Sequence, residues 1–241
     1  MELTLEQIQN FKGKYPKQLW SLFTVEMWER FCFYGMRGVL TYFMVDQLLL
    51  KDDVANLQYG AIQAFVYAFT FIGGIFADKI LGFKKSLFFG GMVMILGNLL
   101  IAIAPKDMFY YGIAFSIIGT GFFKPNVSSM VGELYHEDDP RRDAGYGMFY
   151  AGINIGGFLG GILCIYLGKY YSWQLCFLAS AIVMVLGLLT FLFTKNKLGP
   201  IGNSPLSHLP KTKRLTKEIL VYALSLLSIP LIFIMVKNTD Y

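Results

Sequence analysis

Seven stretches of this chain are long and apolar enough to cross a lipid bilayer, and no other property of the sequence narrows its fold so far. A spanning helix needs about 20 mostly apolar residues, and the stretches run over 19–45, 59–81, 86–103, 109–132, 144–167, 173–193 and 215–236. The first is interrupted by charge. Composition agrees with the runs: 55% of residues are apolar and 15% charged, against roughly 45–50% and 25% in soluble domains. The expected class is an all-α, polytopic membrane protein. Residues 1–17 are polar, and no short apolar core with a small-residue cleavage site precedes the first span, so a cleaved signal peptide is not expected.

Loop charge sets the expected orientation. With the N-terminus in the cytoplasm, fourteen Lys and Arg fall in inside segments, including Lys79, Lys84, Lys85, Arg141 and Arg142, and four fall outside: Lys51, Lys106, Lys169 and Lys237. That bias predicts an N-inside protein of the cell (inner or plasma) membrane. It also accounts for a pI near 9.0 through contact with anionic lipid, so no nucleic-acid partner is implied. Cys32, Cys164 and Cys176 read as small packing residues, and His136 and His208 stand far apart, so no metal site is expected.

The first six stretches are joined by short loops and predict a compact six-helix bundle over 1–194. A segment rich in Lys, Pro, Gly and Ser follows, read as a cytoplasmic linker over 195–214, and then a seventh span in 215–241. One helix after a bundle and a linker looks like the start of something continued. Gly152, Gly156 and Gly160 form a four-residue stripe, and Gly73 and Gly74 stand in the second span, a pattern that lets helix backbones approach closely.

The chemistry concentrates in the first span. Glu26, Glu29, Arg30, Phe33, Tyr34 and Arg37 fall on one helical stripe at offsets of 0, 3, 4, 7, 8 and 11. Lys124, in the fourth span, adds a fifth ionisable group. Each costs about 2.5–3.5 kcal/mol at mid-bilayer, so facing lipid the five would cost roughly 12–17 kcal/mol. The stripe is therefore expected to face protein or water, with Lys124 opposite it. Three cations against two carboxylates leave one positive charge, which calls for an anionic group such as a carboxylate. Burial and the nearby cations pull the protonation of Glu26 and Glu29 in opposite directions. Protonating one of them would free a cation for an anion, a reciprocal coupling.

Further polar residues complete the candidate set. Pro125 cannot donate to the carbonyl of Gly121, which predicts a kink beside Lys124. Asn154 lies mid-span and reads equally well as a ligand contact or a helix contact. Tyr67 is a lining candidate that packing would explain as well. Asp78, followed by Lys79, Lys84 and Lys85, could pair with a helix N-terminus or a cation in one conformation and release it in another.

Three ordered motifs then identify a resemblance. Glu26-x-x-Glu29-Arg30-Phe31, the stretch Gly121-Phe122-Phe123-Lys124-Pro125-Asn126, and Arg141-Arg142-Asp143-Ala144-Gly145 leading to Phe149-Tyr150-Ala151-Gly152-Ile153-Asn154 resemble the proton-dependent oligopeptide transporters of the major facilitator superfamily. The Asp78 loop looks like that superfamily's motif between helices two and three. The resemblance covers about residues 15–237. It implies a symporter of di- and tripeptides driven by the proton gradient, without a cofactor. By the same resemblance, Glu26, Glu29 and Arg30 serve proton coupling, Arg37 and Lys124 attract the peptide carboxylate, and Tyr34, Tyr67 and Asn154 line the site. Asp78, Lys79 and Lys84 form the conformational motif. Phe33 stands where the family commonly has Tyr.

Members of that family have two six-helix bundles, often with a helix pair inserted between them. This chain resembles the first bundle plus the first inserted helix, with the C-terminal bundle absent, and is expected to be inactive alone. Transport of another small anion such as nitrate remains open, as does a truncated, non-transporting binding or scaffold protein. An intramembrane enzyme using Glu26 or Glu29 as acid or base is disfavoured, because the sequence offers no nucleophile–base pair, metal set or cofactor motif.

Overall fold

The computed structural model describes residues 3–239; the outermost residues of the first and last expected regions, 1, 2, 240 and 241, lie outside it. The described chain is helical, with a short α1 (Leu5–Gln9) and then α2 (Lys17–Asp46), α3 (Asp52–Phe76), α4 (Phe83–Ile103), α5 (Phe109–Glu133), α6 (Arg142–Tyr170) and α7 (Trp173–Thr194). These are the six expected spans, each extended by up to seven residues at an end. Five helical segments are long and apolar enough to cross a membrane: Asp52–Leu81, Phe83–Ile103, Arg142–Tyr170, Trp173–Leu198 and Lys211–Lys237. α2 and α5 form at their expected places but fall short of that measure of apolarity, α2 being the span whose apolar run is interrupted by charge. The reason is physical. They carry the ionisable groups and much of the polar content, and they hold the inner positions, where other helices cover them.

The seventh span is present as one segment, Lys211–Lys237, with a break inside it. It is two helices, α8 (Lys211–Leu227) and α9 (Ile229–Lys237), meeting at Ser228. Pro230 lacks the N–H that would continue the ladder to Leu226, and Ser228 caps the break by donating its hydroxyl to the Ser225 carbonyl at 2.6 Å. Pro125 acts otherwise. α5 runs through it as one helix, so the residue expected to kink the span does not end it. The Pro125 carbonyl accepts from the hydroxyls of Ser128 and Ser129 at 2.9 and 3.1 Å.

α2 packs along α6 and α7, and α5 along α3 and α4, with α4 and α7 joining the two groups at the back. Glycine sets the closest approaches. A Cβ at Gly156 would collide with the Met27 carbonyl, and one at Gly160 with the Phe31 carbonyl, so the stripe expected in α6 is where that helix meets α2. Gly73 lies against the backbone of Gly121 in the same way. Cys32, Cys164 and Cys176 are free and fully buried, in keeping with packing roles. α8 and α9 lie beside α3, α4 and α5. Phe89 meets Tyr222 at 4.6 Å and Tyr111 meets Phe233 at 4.6 Å between ring centroids.

One end of the bundle is stitched by connecting segments. After α3 the chain makes one π turn, Ala77–Leu81, closed by the Gly82 N–H on the Ala77 carbonyl at 2.9 Å. Gly82 then takes a φ of 76°, against the Asn203 backbone, where a side chain would be both strained and blocked. The segment read as a linker packs here: Leu198 and Ile201 are buried, and Ser204 donates to the Ile80 carbonyl at 2.5 Å. α1 crosses the same end, where Gln9 donates to the Glu133 and Tyr135 carbonyls. Arg141 stacks on Phe11 at 3.9 Å and donates to the carbonyls of Phe11 and Gly13.

Two outcomes follow from this packing. Gly156→Val should destabilise the chain by about 1–3 kcal/mol through overpacking, read as a lower melting temperature in detergent, whereas Gly161→Val, with open space around it, should not. Equal melting temperatures for the two would contradict the close α2–α6 contact. Asp139 accepts three short bonds from the Arg141 guanidinium and backbone, which hold its carboxyl down to about 2. A group with a lowered folded pKa contributes stability above its unfolded value and loses it as pH falls through the folded one. The carboxyl carbon of Asp139 should therefore titrate near 2 by NMR, and Arg141→Ala should return it toward about 4.

Candidate functional site

The stripe expected on the first span is present and buried. In α2, Glu26 is 2% exposed, Glu29 0% and Arg30 2%. Arg30 Nε lies 3.0 Å from Glu26 Oε1 and in contact with Glu29 Oε2, so one guanidinium serves both carboxylates. Close packing holds it there: Gly156 of α6 sits against the Arg30 Cβ, and the Arg30 guanidinium stacks over Phe33 at 5.2 Å and Tyr34 at 6.0 Å. Phe33, which stands where the family commonly has Tyr, thus has its ring against the cation.

The triad is paired by charge without being fully hydrogen-bonded. Arg30 Nε bonds Glu29 Oε2, while Glu26 Oε2, Glu29 Oε1 and Arg30 Nη2 are buried without an aligned hydrogen-bond partner among the described residues. Buried polar groups are normally bonded, and exceptions in a native fold concentrate where function needs them. Such a network can take up a proton or re-pair with a ligand more readily than a saturated one.

Lys124 of α5 is half-buried and within electrostatic reach of Glu26, Glu29, Arg30 and Arg37. It stands in no ion pair among the described residues, and its ammonium lies 5.5 Å from the centroid of the Tyr67 ring on α3. Arg37, two turns beyond Arg30 on the α2 stripe, donates from Nε to the Tyr59 hydroxyl at 2.7 Å and stacks on Tyr34 and Tyr59 at about 6 Å. Tyr59 is the site residue that sequence reasoning missed. The sequence reading starts the span at Tyr59, which puts that residue at a boundary, whereas α3 begins at Asp52 and puts it about two turns inside. Its spacing of eight from Tyr67, two helical turns, is the signal that would have found it.

The remaining candidates are placed apart. Asn154 is exposed on α6, so the helix contact it was offered does not form, and only an outward contact is left to it. Tyr67 is 64% exposed on its far side and Tyr150 57%. α2 and α5 thus form the floor of an open face, with α3 and α6 as its walls. At the stitched end, Asp78 and Lys79 are exposed in the π turn. Lys84 instead donates to the Gly199 carbonyl at 2.6 Å and the Asn203 side chain at 3.0 Å. The conformational motif is therefore tied to the segment after α7 through Lys84.

Removing the shared cation tests whether the triad is one unit. A buried charge stripped of its partner costs about 3–5 kcal/mol, so Arg30→Ala should lower thermal stability by far more than Arg37→Ala, whose partner is a neutral Tyr59. Equal losses would mean that the two carboxylates do not depend on Arg30.

Comparison with known proteins places this geometry among relatives. The model of the POT family matches residues 84–216. An uncharacterized transporter of Bacillus subtilis, YclF, is 39% identical over 197 residues, covering 79% of this chain and 40% of that protein. The dipeptide and tripeptide permease A of Yersinia pestis is 32% identical over 256 residues, covering 97% of this chain and 51% of that protein. Among solved structures, a peptide transporter POT in complex with sulfate superposes with a TM-score of 0.79 at 33% identity, covering 99% of this chain and 51% of the other. A POT family transporter in complex with 5-aminolevulinic acid gives 0.82 at 29% identity, with the same coverage. The chain spans about half the length of the relatives it matches.

Proposed function

The chain belongs to the POT family, and from that membership we propose that it supplies the first half of a proton-coupled symporter of di- and tripeptides, set in the cell membrane with its N-terminus in the cytoplasm. A second bundle, of the size by which the relatives exceed this chain, covers the open face and completes the site. The permease of Yersinia pestis is described as acting on dipeptides and tripeptides, and a related transporter binds 5-aminolevulinic acid, a small molecule with an amine and a carboxylate. Both favour a substrate carrying a terminal carboxylate.

One observation carries the proposal: Lys124 is a half-buried cation without an ion pair among the described residues, next to two buried carboxylates that share a single guanidinium. Lys124 and Arg37 then take the substrate carboxylate, with Tyr34, Tyr67 and Asn154 along the wall. Glu26, Glu29 and Arg30 carry the proton coupling. Protonation of either carboxylate leaves Arg30 less compensated and raises the positive potential at Lys124, so proton and anion favour each other's binding. Asp78, Lys79 and Lys84 act at the stitched end, where the rocking of two bundles about a midplane site would be sensed. The driving force is the proton gradient, with no cofactor.

The test uses these residues joined to a second bundle and reconstituted in liposomes. Lys124→Ala should abolish uptake of a labelled dipeptide under an inward proton gradient, and unchanged uptake would remove Lys124 from the site. Glu29→Gln should stop accumulation against a peptide gradient while leaving counterflow exchange measurable. Accumulation by that variant equal to wild type would show that the proton is carried elsewhere.

A further inference from the structure

On the side of the bundle away from the charged stripe, a cavity of about 690 Å³ opens where α4 and α7 meet α8 and the segment after α7. Its lining divides by chemistry along the helices. At the stitched end stand Lys84, Lys85, Lys195 and Arg214, and no acidic side chain lines the cavity among the described residues. Deeper along α4 the wall is apolar, formed by Phe88, Phe89 and Met92. Lys84 and Met92 are eight residues apart, about 12 Å along a helix axis. That distance exceeds the interfacial layer of a bilayer, about 5–8 Å on each side, so the apolar wall reaches hydrocarbon depth.

The cations are only partly compensated. Lys85 donates to both Glu218 oxygens at 2.6 and 2.7 Å, and Arg214 Nε lies 3.6 Å from the same carboxylate. Glu133, which accepts from the Gly202 backbone, interacts with Lys84. Lys195, without an ion pair among the described residues, and Arg214, 3.6 Å from a carboxylate that Lys85 already holds, leave positive charge at the mouth of a cleft with an aromatic floor.

We propose that this cavity binds an anionic phospholipid, with the phosphate between Lys195 and Arg214 and the first acyl carbons against Phe88, Phe89 and Met92. A free phosphate ion would use the basic end and leave the aromatic wall idle, whereas a neutral lipid would leave that charge uncompensated. A lipid seated here bridges α8 to the packed pair α4 and α7; α4 and α8 are otherwise joined at this end by Lys85–Glu218 and by the Phe89–Tyr222 contact.

The full chain in detergent, exposed to phosphatidylglycerol and phosphatidylcholine of equal acyl length, tests this by native mass spectrometry. Phosphatidylglycerol should be retained in preference. Lys195→Gln and Arg214→Gln should each weaken that retention about fivefold, as expected for about 1 kcal/mol per basic residue near a charged lipid, and leave phosphatidylcholine unchanged. Equal retention of the two lipids, or an undiminished preference in the double variant, would overturn the proposal. So would displacement of phosphatidylglycerol by millimolar inorganic phosphate, which would mark a free-anion site. A second measurement needs no variant: photoactivatable phosphatidylglycerol should label peptides containing residues 84–92 and 192–207, and labelling confined to other segments would be decisive against it.

Discussion

Keeping charge out of lipid is the constraint on which the rest of this structure depends. Glu26, Glu29 and Arg30 lie within a 30-residue helix that must cross a bilayer, and each would be costly facing hydrocarbon. The chain places that helix at the inner position, wraps α6 and α7 around it, and lets one guanidinium serve two carboxylates. The glycines of α6 follow from this arrangement. Without Gly156 against the Met27 carbonyl and the Arg30 Cβ, α6 would stand off and water or lipid would reach the triad. Packing and electrostatics are here one device.

The same constraint orders the site. A buried ion pair is a weak source of stability, since apolar residues of similar volume often do as well. A triad held in a membrane helix, with three polar atoms lacking aligned partners among the described residues, is therefore costly as a packing device alone. Lys124 sharpens the point. It faces the triad from α5, leans on the Tyr67 ring, and stays without an ion pair among the described residues. Arg37, by contrast, is already engaged with Tyr59, a neutral partner. Lys124 is the more available of the two cations.

Much of this was legible in the sequence because bilayer thickness and helical periodicity act locally. The six bundle spans, the stripe from Glu26 to Arg37, and the opposition of Lys124 all follow from run length, spacing and the cost of charge in lipid. What escaped depends on partners distant in sequence. Tyr59 was placed at a helix start because Asp52 and Asp53 made the segment before it look like a loop, although acidic residues suit the first turn of a helix. The break at Ser228 escaped because Pro230 sits in an unbroken apolar run, and hydropathy does not register a missing N–H. Lys84 reads from sequence as part of the Asp78 motif, but its partners Gly199 and Asn203 lie 115 and 119 residues away, beyond the reach of local spacing. Asn154 was offered two roles, and the fold leaves it the outward one.

The central claim is that the triad and Lys124 join proton binding to anion binding in one site. Calorimetric titration of a dipeptide into these residues joined to a second bundle, repeated in buffers of different ionisation enthalpy, counts the protons taken up as peptide binds. The account predicts net proton uptake as peptide binds. Binding with no net proton uptake at any pH would contradict it.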